Sequence, residues 1–112
     1  MKVAVSAEGE ELNDNVSDIF ARCPFFIIAE IKDKKVENTR AIKNSAVDQM
    51  SGAGVTVAQM IADEGVSAVI CGNVGPRAFN ILQQFQIEVY RGEGKIETVL
   101  KEFIEGRLEK IQ

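Results

Sequence analysis

Three glycine-bearing turns punctuate this chain, and each stands between a strand-like run and a helix-like one. They are Ser51-Gly52-Ala53-Gly54, Cys71-Gly72-Asn73-Val74-Gly75-Pro76 and Arg91-Gly92-Glu93-Gly94. Strand, turn and helix repeated in this way specify a sheet covered by helices. The same turns put residues of little bulk beside helix N-termini, whose amides suit a phosphate, a carboxylate or an anionic metal cluster. None is a nucleotide motif. Gly72-Asn73-Val74-Gly75-Pro76-Arg77 lacks the Gly-Lys-Ser/Thr ending of a P-loop, and Gly52-Ala53-Gly54 lacks the third glycine of the dinucleotide fingerprint. Any one of these glycines is equally an ordinary turn residue; their joint placement is what points to a ligand.

Between the turns the apolar residues change period. Lys2 to Ser6 reads as a short apolar strand, and Val16 to Ala21 as a helical turn with Asn15 or Asp14 placed to cap it. Phe25 to Ile31 is an apolar run broken only by Glu30, expected of a central strand covered on both faces. Asp33-Lys34 reads as a tight turn, and Lys35 to Lys43 as a strand charged enough for a sheet edge. Asn44 to Gly54 is the longest irregular segment. Val55 to Glu64 follows as a helix on which Thr56, Gln59 and Asp63 leave only a narrow polar stripe. Val66 to Ile70 reads as a buried strand, and Pro76 opens a helix whose core face is Ala78, Phe79, Leu82 and Phe85. Gln86 to Tyr90 is a last strand. In the final helix Ile96, Val99, Leu100, Phe103 and Ile104 recur at helical spacing, up to Gly106.

This order predicts an α/β/α arrangement on a mixed sheet, with strands one, four and five parallel and strands two and three antiparallel to their neighbours. Five loops then converge at the carboxyl ends of the parallel strands, where open α/β sheets place their ligands. A chain of 112 residues with 46% hydrophobic content supports one domain over 1-112 and a single core.

The net charge of -4 repels a polyanion over most of the surface, which argues against nucleic acid as a partner. The N-terminus runs directly into a strand pattern and no apolar stretch reaches membrane-spanning length, so a cytoplasmic protein with no membrane partner is expected. Histidine is absent, which removes Ser-His-Asp and Cys-His catalysis, and Cys23 and Cys71 alone cannot close a structural zinc site. Both are expected as free thiols.

Five segments stand out together: Phe20-Ala21-Arg22-Cys23-Pro24-Phe25-Phe26, Gly52-Ala53-Gly54, Gly65-Val66, Gly72-Asn73-Val74-Gly75-Pro76-Arg77-Ala78-Phe79, and Ile87-Glu88-Val89-Tyr90 followed by Gly92. With them the chain resembles the dinitrogenase iron-molybdenum cofactor biosynthesis family, which includes NifX-like carriers and the C-terminal part of NifB. The resemblance covers nearly the whole chain. It implies a ribonuclease H-like three-layer α/β/α fold with a mixed five-stranded sheet in the order 3-2-1-4-5. It also implies a non-enzymatic protein that binds or carries an anionic iron-sulfur or molybdenum-containing cluster in nitrogen fixation, in exchange with cluster-assembly proteins. Nuclease chemistry is not expected despite the fold name, because Val3, Ala4, Val5 and Ser6 on strand one offer no carboxylate for metal ions.

Family members often carry a histidine just before the Gly-Ala-Gly turn, and here that loop reads Val47-Asp48-Gln49-Met50-Ser51. The cofactor-binding set expected is therefore Arg22, Cys23, Met50, Ser51, Gly52, Gly54, Gly72, Asn73, Gly75 and Arg77, with Cys23, in a loop before Pro24, as the metal ligand. Cys71, at the end of a buried strand, reads more simply as a core residue. Arg22 and Arg77 supply positive charge or, equally, surface ion pairs. The alternative is an interaction module, monomer or weak homodimer, that recognises a protein or small anion without metal.

Overall fold

The computed structural model describes residues 1–112. Its sheet comprises β1 (Lys2–Ala7), β2 (Phe25–Lys32), β3 (Lys35–Lys43), β4 (Ala68–Cys71), β5 (Glu88–Arg91) and β6 (Glu109–Ile111). The strand order is β3-β2-β1-β4-β5-β6. β1, β4 and β5 run parallel, while β2, β3 and β6 are antiparallel to their neighbours. The helices are α1 (Ala53–Asp63), α2 (Pro76–Gln84) and α3 (Ile96–Ile104). No helix is long and apolar enough to cross a membrane.

The period-two alternation of the strands sorts the core into two halves. Ala4, Phe26, Ile28, Val69 and Cys71 face α1 and α2, where they meet Val57, Ala58, Ile61, Ala78 and Leu82. Val3, Val5, Ile27, Ala29, Ala68 and Ile70 face α3 and meet Ile96, Val99 and Leu100. The result is a three-layer α/β sandwich in which β1 and β4, covered on both sides, form the spine. Asp33 and Lys34 both have positive φ, 53° and 63°, which gives the two-residue turn between β2 and β3 the twist of a hairpin.

Two expectations are corrected. The sheet has six strands, not five: Glu109–Ile111 adds to the outer edge of β5, in register Val89↔Ile111 and Arg91↔Glu109. A three-residue segment with one apolar side chain carries no period of its own. Its strand character comes from β5 and from the ion pairs Arg91–Glu109 at 3.1 Å and Lys110–Glu88 at 3.0 Å.

The helical turn expected over Val16 to Ala21 shrinks to a 3-10 turn at Phe20–Arg22. The backbone before it is taken by other segments: Val16 N–H donates to Gly94 O at 2.8 Å, Ser17 N–H to Ser6 O at 2.8 Å and Phe20 N–H to Asn73 O at 2.9 Å. The side chains of Asp14 and Asn15 therefore cap no helix at this point, and the Asp14 carboxylate accepts from Glu11 N–H instead.

This crossing segment approaches β4 so closely that only glycine fits beneath it. A Cβ on Gly72 would lie 2.7 Å from Asp18 Cα and from Asp18 O, both backbone atoms. Gly72→Ala must displace the crossing, and a loss of roughly 1–3 kcal/mol is expected in urea denaturation. Gly75, with φ of -72° and open space around its Cβ position, provides the contrast. Gly75→Ala should stay within about 0.5 kcal/mol of the parent.

Candidate functional site

The carboxyl edge of the sheet carries the site. The exit of β1, the entry to β2, and the exits of β3 and β4 lie there, and α1 and α2 begin there side by side. α1 starts from Gly52, whose φ of 72° is a conformation that side chains resist. Its first hydrogen bond back to that residue is Thr56 N–H to Gly52 O at 3.0 Å. α2 starts from Gly75 with Pro76 in its first turn, and Phe79 N–H donates to Gly75 O at 2.9 Å. The earlier amides of each helix have no acceptor within the helix and present partial positive charge. The two first turns pack closely: a Cβ on Gly54 would sit 3.4 Å from Ala78 Cβ.

A groove of about 400 Å³ opens at this junction, lined by Ile19, Phe20, Ala21 and Arg22 on one side and by Gly54, Gly75, Pro76, Arg77 and Ala78 on the other. Its walls are mainly apolar and its charges are the two arginines. Of the residues expected at the site, the groove brings together Arg22, Gly54, Gly75 and Arg77. Gly52 stands one step back as the cap of α1. Gly72 and Asn73 act behind the wall: Gly72 lies under Asp18, and the Asn73 carbonyl holds Phe20 N–H. Met50, 96% exposed, and Ser51 lie on the outer loop and do not line the groove.

Cys23, expected in a loop before Pro24 as the metal ligand, is buried instead. Cys23 has no accessible surface, and its Sγ donates to Phe20 O at 3.3 Å inside the core. The Phe20–Arg22 turn folds the chain so that Cys23 points inward beside Phe20 and Phe26. Burial pushes the Cys23 thiol up to about 12, against an ordinary value of 9.0, and burial does the same for Cys71, also to about 12. Both are protonated near neutral pH. No group of three or more His, Cys, Asp or Glu side chains is placed to hold a metal ion.

Sequence reasoning missed Asn44. It is fully buried, and its amide donates to Ala21 O at 3.1 Å and Cys23 O at 2.8 Å while its Oδ1 accepts from Ala46 N–H at 3.0 Å. It clamps the groove's near wall to the loop after β3. A polar residue ending a strand gave a turn signal and nothing more. Ile19, 52% exposed at the groove mouth, had no signal either. A wider surface hollow of about 660 Å³ lies between the β2–β3 hairpin and α3, among Lys34, Lys35, Glu97 and Lys101, and contains none of the expected residues.

The family model for the dinitrogenase iron-molybdenum cofactor matches residues 1–106. The chain belongs to this dinitrogenase cofactor family. Among its relatives, the uncharacterized protein MJ0580 of Methanocaldococcus jannaschii is 38% identical, over 100% of this chain and 92% of the relative. The fold is shared with the apo form of the orange protein from Desulfovibrio gigas, with TM-score 0.88 and 30% identity, covering 98% of this chain and 92% of that one. A proposed NifB protein from Thermotoga matches with TM-score 0.83 and 34% identity, covering 97% and 91%. In this member of the dinitrogenase cofactor family the groove, lined from Ile19 to Ala78, lies wholly within the matched residues.

Two outcomes are expected of the buried groups. Asn44→Ala strands two carbonyls and an amide, so denaturant unfolding should show a loss of roughly 1–3 kcal/mol. The thiols keep their protons in the folded chain up to about pH 12 but release them above 9.0 when unfolded. Their contribution is therefore complete below pH 9 and falls as pH rises from 9 toward 12. Between pH 8 and 10 stability should drop by about 1 kcal/mol per thiol, and the Cys23→Ala/Cys71→Ala double variant should lack that part of the slope.

Proposed function

We propose that this protein binds and carries a preassembled anionic metal-sulfur cluster, an iron-molybdenum cofactor or a related precursor, in the groove between Arg22 and Arg77. The observation that carries the reading is the make-up of the groove: two helix N-termini and two guanidinium groups set in apolar walls, with the chain's thiols buried behind them. Such a site attracts negative charge without offering covalent ligands. The cargo accordingly keeps its own ligands and is held by amides, by Arg77 and by contact with the exposed apolar side chains Ile19 and Pro76. Membership of the dinitrogenase cofactor family supports the same reading.

The apolar walls bear on the kind of anion. A hard oxyanion loses strong hydration on entering them, whereas a large sulfide-surfaced anion is weakly hydrated and loses little. The positive charge is local, since the chain as a whole carries -4. Arg77 makes no ion pair within the chain, so its full set of donors is open to a ligand. The protein acts as a carrier, not an enzyme, in the cytoplasm, and exchanges cargo with cluster-assembly proteins. A metal-free interaction module is the second reading, favoured by the exposed apolar side chains Ile19 and Met50 beside the groove.

The test is anaerobic titration with tetrathiomolybdate, with molybdate and phosphate in parallel. Tetrathiomolybdate is expected to bind most tightly, Arg77→Gln to weaken it about tenfold or more, and Cys23→Ala to leave it within about twofold. Loss of binding in Cys23→Ala, with the fold intact by circular dichroism, would restore thiolate ligation. No binding of any anion would favour the interaction module.

A further inference from the structure

The Arg22 guanidinium faces in two directions. Its Nη1 donates to Val47 O at 2.9 Å and to Gln49 O at 2.7 Å, carbonyls of the loop between β3 and α1, while the residue also lines the groove. A guanidinium has five N–H donors, and Nη1 carries two of them. Both are spent on the loop. Nε and Nη2, the fork that meets an anion in bidentate fashion, make no hydrogen bond within the chain.

The loop depends on these bonds. Its base is pinned by Asn44, through Asn44 Oδ1 to Ala46 N–H at 3.0 Å, and Gln49 N–H donates to Ala46 O at 3.0 Å within the loop. From Val47 to Ser51 the two Arg22 contacts are the hydrogen bonds that reach another part of the chain. Asp48, Gln49, Met50 and Ser51 are all exposed, so packing adds little there. Beyond Ser51 the loop runs directly into Gly52 and the first turn of α1, at the groove.

From this arrangement we infer that Arg22 is a coupling residue: an anion in the groove, held on its free fork, orders the loop from Val47 to Ser51 through the opposite edge of the same guanidinium. The inference rests on the groove reading above. An anion on the Nε/Nη2 fork fixes the plane of the guanidinium, which fixes the direction of the two Nη1 donors and so holds both carbonyls in place. A lysine has the charge but no rigid plane joining its donors, so an anion on one of them does not fix the direction of the others. Loaded and empty protein then present different surfaces at Met50, which a partner receiving the cargo can distinguish. Coupling of this kind is reciprocal: the factor by which the ligand favours the ordered loop is the factor by which the ordered loop favours the ligand.

The experiment combines an anaerobic tetrathiomolybdate binding isotherm with amide hydrogen exchange at Ala46, Val47 and Gln49, for the parent, Arg22→Lys and Arg77→Gln. Without ligand, Arg22→Lys should speed exchange at Val47 and Gln49. At saturating ligand, exchange in the parent should slow by about fivefold or more. Arg77→Gln, once saturated, should show the same slowing. Arg22→Lys should show none, and its affinity should fall by at least the factor seen as slowing in the parent, because the bidentate contact is lost together with the coupling. Binding to the parent with unchanged loop exchange, or equal slowing in Arg22→Lys, overturns the coupling and leaves the groove reading intact. An isotherm without binding to the parent removes both.

Discussion

The site depends on a crossing of the backbone. Residues 15–20 pass over the carboxyl ends of β1 and β4, and their amides and carbonyls are taken in turn by Ser6, Gly72, Asn73 and Gly94. The crossing lies against Gly72 with no room for a side chain between them. Because it ties β1, β4 and the loop after β5 together, it fixes where the chain turns at Phe20–Arg22. That turn supplies the near wall of the groove, and α1 and α2 supply the far one. Most of its bonds are backbone to backbone, so its hold on geometry depends little on which side chains occupy it, glycine at 72 excepted.

Around this crossing the polar groups divide their work. Asn44 is buried and spends its hydrogen-bonding capacity joining the turn to the loop after β3. Ser6 is buried at the end of β1, and its hydroxyl donates to Ser17 O at 3.0 Å, adding one more tie to the crossing. No buried side-chain nitrogen or oxygen is left without a partner. Arg91 serves the frame as well, since its Nε donates to Gly72 O at 3.2 Å and its Nη1 pairs with Glu109. Arg77 stands apart from that frame, and Arg22 belongs to both frame and groove. The thiols, soft and polarisable but held as neutral groups in an apolar interior, act as core residues.

Much of this was legible in the chain. The apolar run at Phe25 to Ile31, the 3.6 period of Ile96 to Ile104, Pro76 at the start of α2 and the charged strand Lys35–Lys43 each declare their element, because local periodicity and backbone restriction act within a few residues. The convergence of loops at one sheet edge followed from the order of those elements, and Arg22, Gly54, Gly75 and Arg77 line one groove there. Illegible segments were those whose structure is imposed by a distant partner. β6 is a strand because β5 has an open edge, and 15–19 is extended because Ser6, Asn73 and Gly94 claim its backbone.

The sequence by itself determined the elements, their order and therefore the edge at which a ligand would meet them. Only the tertiary structure decided which side chains face the groove at that edge. Cys23 and Arg22 are neighbours in a loop with the same prospects on paper. A single 3-10 turn sends the thiol into the core beside Phe26 and leaves the guanidinium outside, against carbonyls 25 and 27 residues away. Side-chain direction in irregular backbone depends on contacts with segments remote in sequence, and no local pattern records it.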